Sequence, residues 1–165
     1  MPLKIGFTGT RKGMTFDQKN NFLVMMEELN DEHHLDEFHH GDCIGADKDA
    51  HQLVETYFPN IMIHIHPPNN GDKRAFCKGG FMHPESSTLE RNRHIVDMTE
   101  LLVATPDGSI EKLRSGTWST VRYAKKLNKR GNNKIESGKR GPVAFGVRGE
   151  NKSGSRPRMD VLAPD

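Results

Sequence analysis

Short apolar runs alternate with amphipathic helical segments along this chain, and this alternation restricts its fold more than any other feature. Strand-like runs cover residues 3–7, 36–40, 61–66 and 101–104. In the segments that follow them, apolar side chains recur at the one-face spacing of a helix. Repeated strand–helix units predict a parallel sheet with helices on both faces and right-handed crossovers. We therefore predict an α/β, Rossmann-like, doubly wound and mostly parallel sheet of about five strands, with residues 142–147 as the candidate fifth.

Two capping boxes mark where helices should begin. Thr15 with Gln18 opens a helix that ends near Asn30, and Ser87 with Glu90 opens another. Residues 69–85 precede the second box and show no periodicity. Long loops of this kind usually cover a site, so we predict a lid there.

The length and cysteine content favour a single domain in a reducing compartment. A chain of 165 residues can bury most of its apolar surface in one core. We assign residues 1–149 to that domain and residues 150–165 to a basic C-terminal tail. Cys43 and Cys77 are too few for a disulfide framework, and the sequence shows neither a leader segment nor a membrane-length apolar run. We expect a cytoplasmic protein with no membrane partner.

The segment after the fourth strand is rich in hydroxyl side chains and contains a glycine. It runs from Arg114 to Thr120, has no acidic residue, and leads directly into a helical pattern. The first backbone N–H groups of a helix lack internal partners and favour anions, so this segment predicts a phosphate cradle. Ser and Thr at a helix start are also ordinary caps, and that alternative stays open.

Two further glycine-containing turns follow the first and second strands. Gly9, Thr10 and Arg11 form a strand-to-loop anion candidate. The second turn runs from Gly41 to Asp47, where Gly41 and Gly45 would let a ligand approach the backbone. Its carboxylates would repel phosphate, so we assign it a sugar hydroxyl or a base edge. Alternatively, Asp47 only complements the helix dipole.

These three turns should meet at one place. In a doubly wound sheet the first and fourth strands are neighbours where the winding reverses, and ligands bind beyond their carboxyl ends. That arrangement predicts one pocket for a nucleotide-like ligand.

Histidines and the basic tail suggest two other kinds of site. His64 and His66 share one strand face and could ligate zinc, with His39 and His40 as candidates from a neighbouring strand. No further ligand is evident, so we predict neither a metal nor a cofactor. Between residues 129 and 158 nine Lys/Arg face two Glu, which is compatible with nucleic-acid binding but more typical of a solvated terminus.

Four motifs in this order resemble the SLOG superfamily over about residues 3–130. That superfamily includes cytokinin-activating phosphoribohydrolases, DprA-like proteins and sensor domains that read NAD-derived signals. The resemblance rests on Gly9-Thr10-Arg11, Gly41 with Gly45-Ala46-Asp47, Glu90-Arg91-Asn92-Arg93, and Ser115-Gly116-Thr117-Trp118-Ser119-Thr120.

The resemblance implies a role for Arg91 and exposes one departure from the family. Arg91 on a helix would ordinarily be a solvated cation, but it matches the catalytic arginine of the phosphoribohydrolases and should face the pocket. Their loop carries Pro-Gly-Gly-x-Gly-Thr-x-x-Glu, and its glutamate falls on Tyr123 here. Cleavage of an N-glycosidic bond needs a positioned carboxyl group, so we favour binding over hydrolysis. Asp47, Asp107 and Glu111 are the carboxylates that could substitute.

Three functions follow as expectations. The first is a binding module for a nucleotide or ADP-ribose-like, NAD-derived ligand, acting as a signal sensor or sink and, by resemblance, as a homo-oligomer. The others are a nucleoside 5′-monophosphate phosphoribohydrolase that uses Arg91, and a DprA-like single-strand binder. In the first function, Trp118 or Tyr123 would stack on a base. The predicted ligand-binding set is Gly9, Thr10, Arg11, Gly41, Asp42, Gly45, Ala46, Asp47, Arg91, Arg114, Ser115, Gly116, Thr117, Trp118, Ser119, Thr120 and Tyr123.

Overall fold

The structure is a computed structural model that describes residues 2–108, 110–130 and 143–146. Strands and helices alternate along it. The strands are β1 (Leu3–Gly9), β2 (Leu35–His40), β3 (Met62–Ile65), β4 (Phe81–Met82), β5 (Leu101–Thr105) and β6 (Val143–Gly146). The helices are α1 (Phe16–His33), α2 (Ala46–Tyr57), α3 (Thr88–Asp97) and α4 (Gly116–Arg130).

The six strands form one sheet in the order β4-β3-β2-β1-β5-β6. All adjacent pairs are parallel except β5 with β6, which is antiparallel. The winding reverses between β1 and β5, so the predicted doubly wound, mostly parallel α/β fold is confirmed. The carboxyl ends of β1 and β5 lie side by side, with Gly9 opposite Thr105.

Two apolar layers hold helices against the two faces of the sheet. On one face, buried residues of α1 and α2 join those of β1 and β2, and an aromatic trio of Phe7, Phe22 and Phe38 has ring centroids 5.6–5.9 Å apart. On the other face, α3 and α4 pack against Leu102 and Ala104 of β5. Alternate residues of one strand reach opposite faces, so β5 contributes to both layers.

Two predicted boundaries differ from the structure. Helix α1 continues past Asn30 to His33, and Asn30 instead accepts hydrogen bonds from the backbone N–H groups of His34 and Leu35. The segment 69–85 is not a plain loop, because it contains a 3-10 turn (Gly71–Lys73) and β4. At α3, the Ser87 hydroxyl caps the Glu90 N–H at 3.3 Å. The predicted tail, residues 150–165, lies outside the described residues.

Candidate functional site

A cavity of about 580 Å³ opens beside the carboxyl ends of β1 and β5. Ten of the residues predicted from the sequence line it: Gly9, Thr10, Arg11, Gly41, Asp47, Arg91, Arg114, Ser115, Gly116 and Thr117. They come from the loops after β1, β2 and β5 and from α3. The structure therefore brings segments that are far apart in sequence around one space. Whether they bind a ligand there stays a prediction.

The loop after β1 is fixed between β5 and α2. The Thr10 N–H donates to the Thr105 carbonyl at 3.0 Å, and the Thr10 carbonyl accepts from the Ala46 N–H at 3.0 Å. Gly45, at φ +93°, lies so close to the Arg11 backbone that a Cβ atom would collide with it. Close approach at Gly45 therefore serves the contact between two loops, not contact with a ligand as the sequence suggested.

Arg91 is buried and turned toward the cavity. Its side chain is 3% exposed, its Nη1 donates to the Gly41 carbonyl, and both terminal nitrogens lie 3.5 Å from Cys43 Sγ. A solvated helix cation is the wrong interpretation for this residue, although it fits the exposed Arg93. A Cβ atom on Gly41 would collide with the guanidinium, so the glycine leaves room for Arg91 in its present position.

Asp47 places a buried carboxyl group in the cavity wall. Burial raises its pKa to about 6, and the nearby Arg91 guanidinium limits the rise. Its Oδ2 accepts a hydrogen bond from the Cys43 N–H at 3.1 Å. Its Oδ1 is buried and has no hydrogen-bond partner among the described residues, and the same holds for Arg91 Nε. Buried polar atoms without partners are rare, and both of these belong to residues that line the cavity.

The start of α4 forms the third wall of the cavity. Ser115, Gly116 and Thr117 line it, and among the described residues nothing beyond its neighbours in the chain and in the helix lies within 4 Å of where a Gly116 Cβ would be. Ser115 Oγ also accepts a long hydrogen bond of 3.4 Å from the Trp118 N–H, so the ordinary cap is present as well. The remaining N–H groups of the first helical turn are potential anion donors.

Cationic side chains dominate the charge of the cavity. Asp107 accepts hydrogen bonds from the ammonium groups of Lys12 and Lys112 at 2.7 and 3.2 Å, and these bonds lower its pKa. Asp47 and Asp107 are the carboxylates in the lining, whereas the cations number six: Arg11, Lys12, Lys73, Arg91, Lys112 and Arg114. This balance favours an anionic ligand.

Seven predicted site residues do not line the cavity: Asp42, Gly45, Ala46, Trp118, Ser119, Thr120 and Tyr123. Trp118 is buried against Leu102 in the apolar layer below α4. Tyr123 donates its hydroxyl proton to Asp97 at 2.8 Å, and its ring lies under the Arg93 guanidinium. Neither ring is placed to stack on a base in the cavity, so we remove both from the proposed binding set.

Asp42 organises the loop that follows β3. Its fully buried carboxylate accepts from Arg74 Nε at 2.7 Å and from the Cys77 N–H at 2.8 Å. Its carbonyl accepts from the Ala75 N–H at 2.7 Å. The prediction that Asp42 contacts the ligand is therefore wrong in its geometry. By fixing this loop, Asp42 allows Lys73 to reach the cavity.

Sequence reasoning missed several lining residues, among them Lys73, Asn92 and Lys112. Asn92 belongs to the motif that contains Arg91, so its signal was present. Lys73 lies in a segment without periodicity, and only the packing of that segment brings it to the cavity.

Comparison of the chain with models of protein families, with curated proteins and with solved structures gives no match. The SLOG resemblance therefore stays a prediction. Within the described residues, no helix combines the length and apolar character needed to cross a membrane.

Proposed function

We propose that the cavity binds a nucleotide or an ADP-ribose-like, NAD-derived ligand, and that the protein acts as a sensor or sink for that ligand. The supporting observation is the convergence of three glycine-containing loops and buried Arg91 on one cationic cavity of about 580 Å³. That volume is in the usual range for a small-molecule site, about 300–1,000 Å³.

The chemistry of the walls assigns a part of the ligand to each wall. The first turn of α4, together with Arg11 and Arg114, would hold phosphate through backbone N–H groups and guanidinium groups. The Asp47 carboxyl group, which lines the cavity, would accept a hydrogen bond from a ribose hydroxyl. A ligand with a diphosphate between two riboses would contact both the first turn of α4 and Asp47.

Calorimetric titration with ADP-ribose, its cyclic forms, NAD and AMP tests this proposal. We expect one ligand per chain, and we expect Gly116→Glu to abolish binding because a carboxylate would enter the anion cradle. Gly71→Glu is the matched control, since Gly71 also has open space around it and lies outside the cavity lining. Failure of all these ligands to bind wild-type protein would contradict the proposal.

A second candidate function is hydrolysis of a nucleoside 5′-monophosphate to free base and ribose phosphate. It is favoured by the Asp47 carboxyl group, whose pKa of about 6 suits proton donation near neutral pH. The other carboxylates considered are less suitable, because Asp107 pairs with Lys12 and Lys112, and Glu111 pairs with Arg122.

Incubation with nucleoside monophosphates, followed by chromatography for free base, separates the two candidates. A hydrolase should release base, and Asp47→Asn should stop release while nucleotide binding persists. Return of intact nucleotide from wild-type protein would leave binding as the function. The DprA-like alternative depends on the basic tail, most of which lies outside the described residues; it predicts strong salt dependence and loss of single-strand affinity on truncation after Asn128.

A further inference from the structure

Four histidines and a glutamate occupy one face of the sheet, away from the cavity lining. Alternate positions on a strand share a face, which places Glu37 and His39 of β2 beside His64 of β3 and His66, which directly follows β3. His39 lies opposite His64 in the register, and His83 continues the β3–β4 pairing. Helices α3 and α4 cover the part of this face that β1, β5 and β6 form.

The imidazole rings of this cluster are packed closely together. His39 stacks on His64 with centroids 4.3 Å apart, and His66 stacks on His83 at 3.9 Å. His39 Nδ1 and His66 Nε2 are 2.9 Å apart. One ring nitrogen from each of His39, His66 and His83 lies within 4.8 Å of the other two.

Glu37 stands behind two of the rings and fixes their orientation. Its Oε2 is 2.7 Å from His39 Nε2, so His39 donates that proton and keeps a lone pair on Nδ1, facing His66. The same oxygen is 3.6 Å from His64 Nε2, and His64 Nδ1 is 3.0 Å from His83 Nε2. Carboxylate–histidine pairs of this kind orient metal ligands in proteins.

A second group, His40 with His51 and Cys77, lies on the opposite face and differs in one respect. The Asp42 N–H donates to His40 Nδ1, His40 Nε2 is 2.9 Å from His51 Nδ1, and His51 Nε2 is 2.8 Å from the Lys78 carbonyl. Each ring nitrogen therefore has one partner in a continuous chain of hydrogen bonds. Burial also raises the pKa of the Cys77 thiol to about 12, which keeps it a poor ligand.

The geometry points to a binding site for one divalent transition-metal ion of the zinc class, with His39, His66 and His83 as ligands and Glu37 and His64 orienting them. Zinc–nitrogen bonds of about 2.0–2.1 Å at a tetrahedral centre separate two ligand nitrogens by about 3.3 Å. Metal binding would replace the 2.9 Å hydrogen bond between His39 Nδ1 and His66 Nε2, and the two nitrogens need to separate by only a few tenths of an ångström. On the same face Met62 and Phe81 are each 56% exposed, so an ion can enter from the sheet edge.

Titration of the chelator-stripped, full-length protein with Zn²⁺ alone tests this site, with calorimetry for affinity and elemental analysis for stoichiometry. We expect one ion per chain. Glu37→Gln should weaken binding by about 10–100-fold, as loss of an outer-shell partner does, and His83→Ala should weaken it more because a ligand is lost. Far-UV circular dichroism without metal checks that each variant is folded, and the half-exposed His83 is the ligand whose replacement disturbs the core least.

Two controls locate the ion. His34→Asn changes an exposed histidine outside the cluster and should leave affinity unchanged, and Cys77→Ser should also leave it unchanged. The site is refuted if wild-type protein takes up no stoichiometric Zn²⁺, if folded His83→Ala binds as wild type does, or if Cys77→Ser removes binding. No nucleotide is present in these titrations, so their outcome is independent of the proposed function.

Discussion

Two buried polar residues, Arg91 and Asp47, characterise the candidate site best. Arg91 and Asp47 are 3% and 5% exposed, yet both line the cavity and both keep an atom without a partner in the described chain. The sequence alone could not reveal this burial, because a helix pattern does not say which cation turns inward. For Arg91, only the family resemblance predicted the inward orientation.

The pKa of Asp47 predicts how the stability of the protein depends on pH. A folded pKa of about 6 lies above the ordinary value of 3.8. Protonated Asp47 therefore contributes stability below pH 3.8, and this contribution, about 3 kcal/mol, is lost as pH rises through 6. Asp47→Asn removes this titration and leaves the neighbouring charges of Arg91 and Asp42 in place. We expect its free energy of unfolding to rise relative to wild type between pH 4 and pH 7.5.

Urea unfolding at a series of pH values measures this difference, with exposed Asp31→Asn as the control. Titrations elsewhere in the protein cancel when variant and wild type are compared at each pH. A difference between Asp47→Asn and wild type that stays constant with pH, or falls as pH rises, would contradict the assignment.

Replacing Gly45 should destabilise the protein where two loops meet. A side chain there meets both the left-handed backbone conformation and the Arg11 backbone. The conformation costs about 1–2 kcal/mol, and the overlap adds to it. Gly45→Ala should therefore lower the free energy of unfolding by more than about 1 kcal/mol, while Gly71→Ala, in open space, should change it much less. Equal effects of the two substitutions in urea unfolding would show that the two loops do not touch as described.

Among the elements, those with long apolar patterns were predictable and the short ones were not. Strands β1, β2, β3 and β5 lie close to their predicted bounds, because each buries at least two of its residues. Strand β4 has only two residues, both exposed, so it leaves no hydrophobic pattern. Its pairing with β3, and with it the position of His83, depends on contacts that the local sequence does not encode.

The buried Asp42 carboxylate holds the loop between β3 and α3. In Asp42→Ala, Arg74 Nε and the Cys77 N–H both lose this partner, while Arg74 keeps its ion pair with the exposed Glu85. A buried donor left without its acceptor costs about 1–3 kcal/mol. Hydrogen exchange followed by mass spectrometry should therefore show faster exchange across residues 69–86 than in wild type.

Exchange in α1 provides the internal reference for that experiment, because α1 packs in the apolar layer and does not contact Asp42 through a described hydrogen bond. Unchanged exchange across residues 69–86 would mean that the loop holds its place without Asp42. Equal acceleration in α1 would mean global destabilisation instead.

In the molecule as a whole, the order of the strands in the sheet brings the loops of the candidate site together. The reversal of winding between β1 and β5 was predictable from the strand–helix alternation, and it places the loops after these strands together. The loop after β2 joins them because its strand is next in the sheet. The size and cationic character of the cavity could not be predicted from the sequence, since they depend on residues such as Lys73 from a segment without a pattern.

Hydrogen exchange with and without ADP-ribose shows whether three separate loops surround a single anionic ligand. We expect slower exchange on ligand addition in residues 8–13, 41–47 and 114–120 together, and loss of protection at all three in Gly116→Glu. Protection confined to one of these loops, or located elsewhere in the chain, would mean that the three loops do not share one ligand.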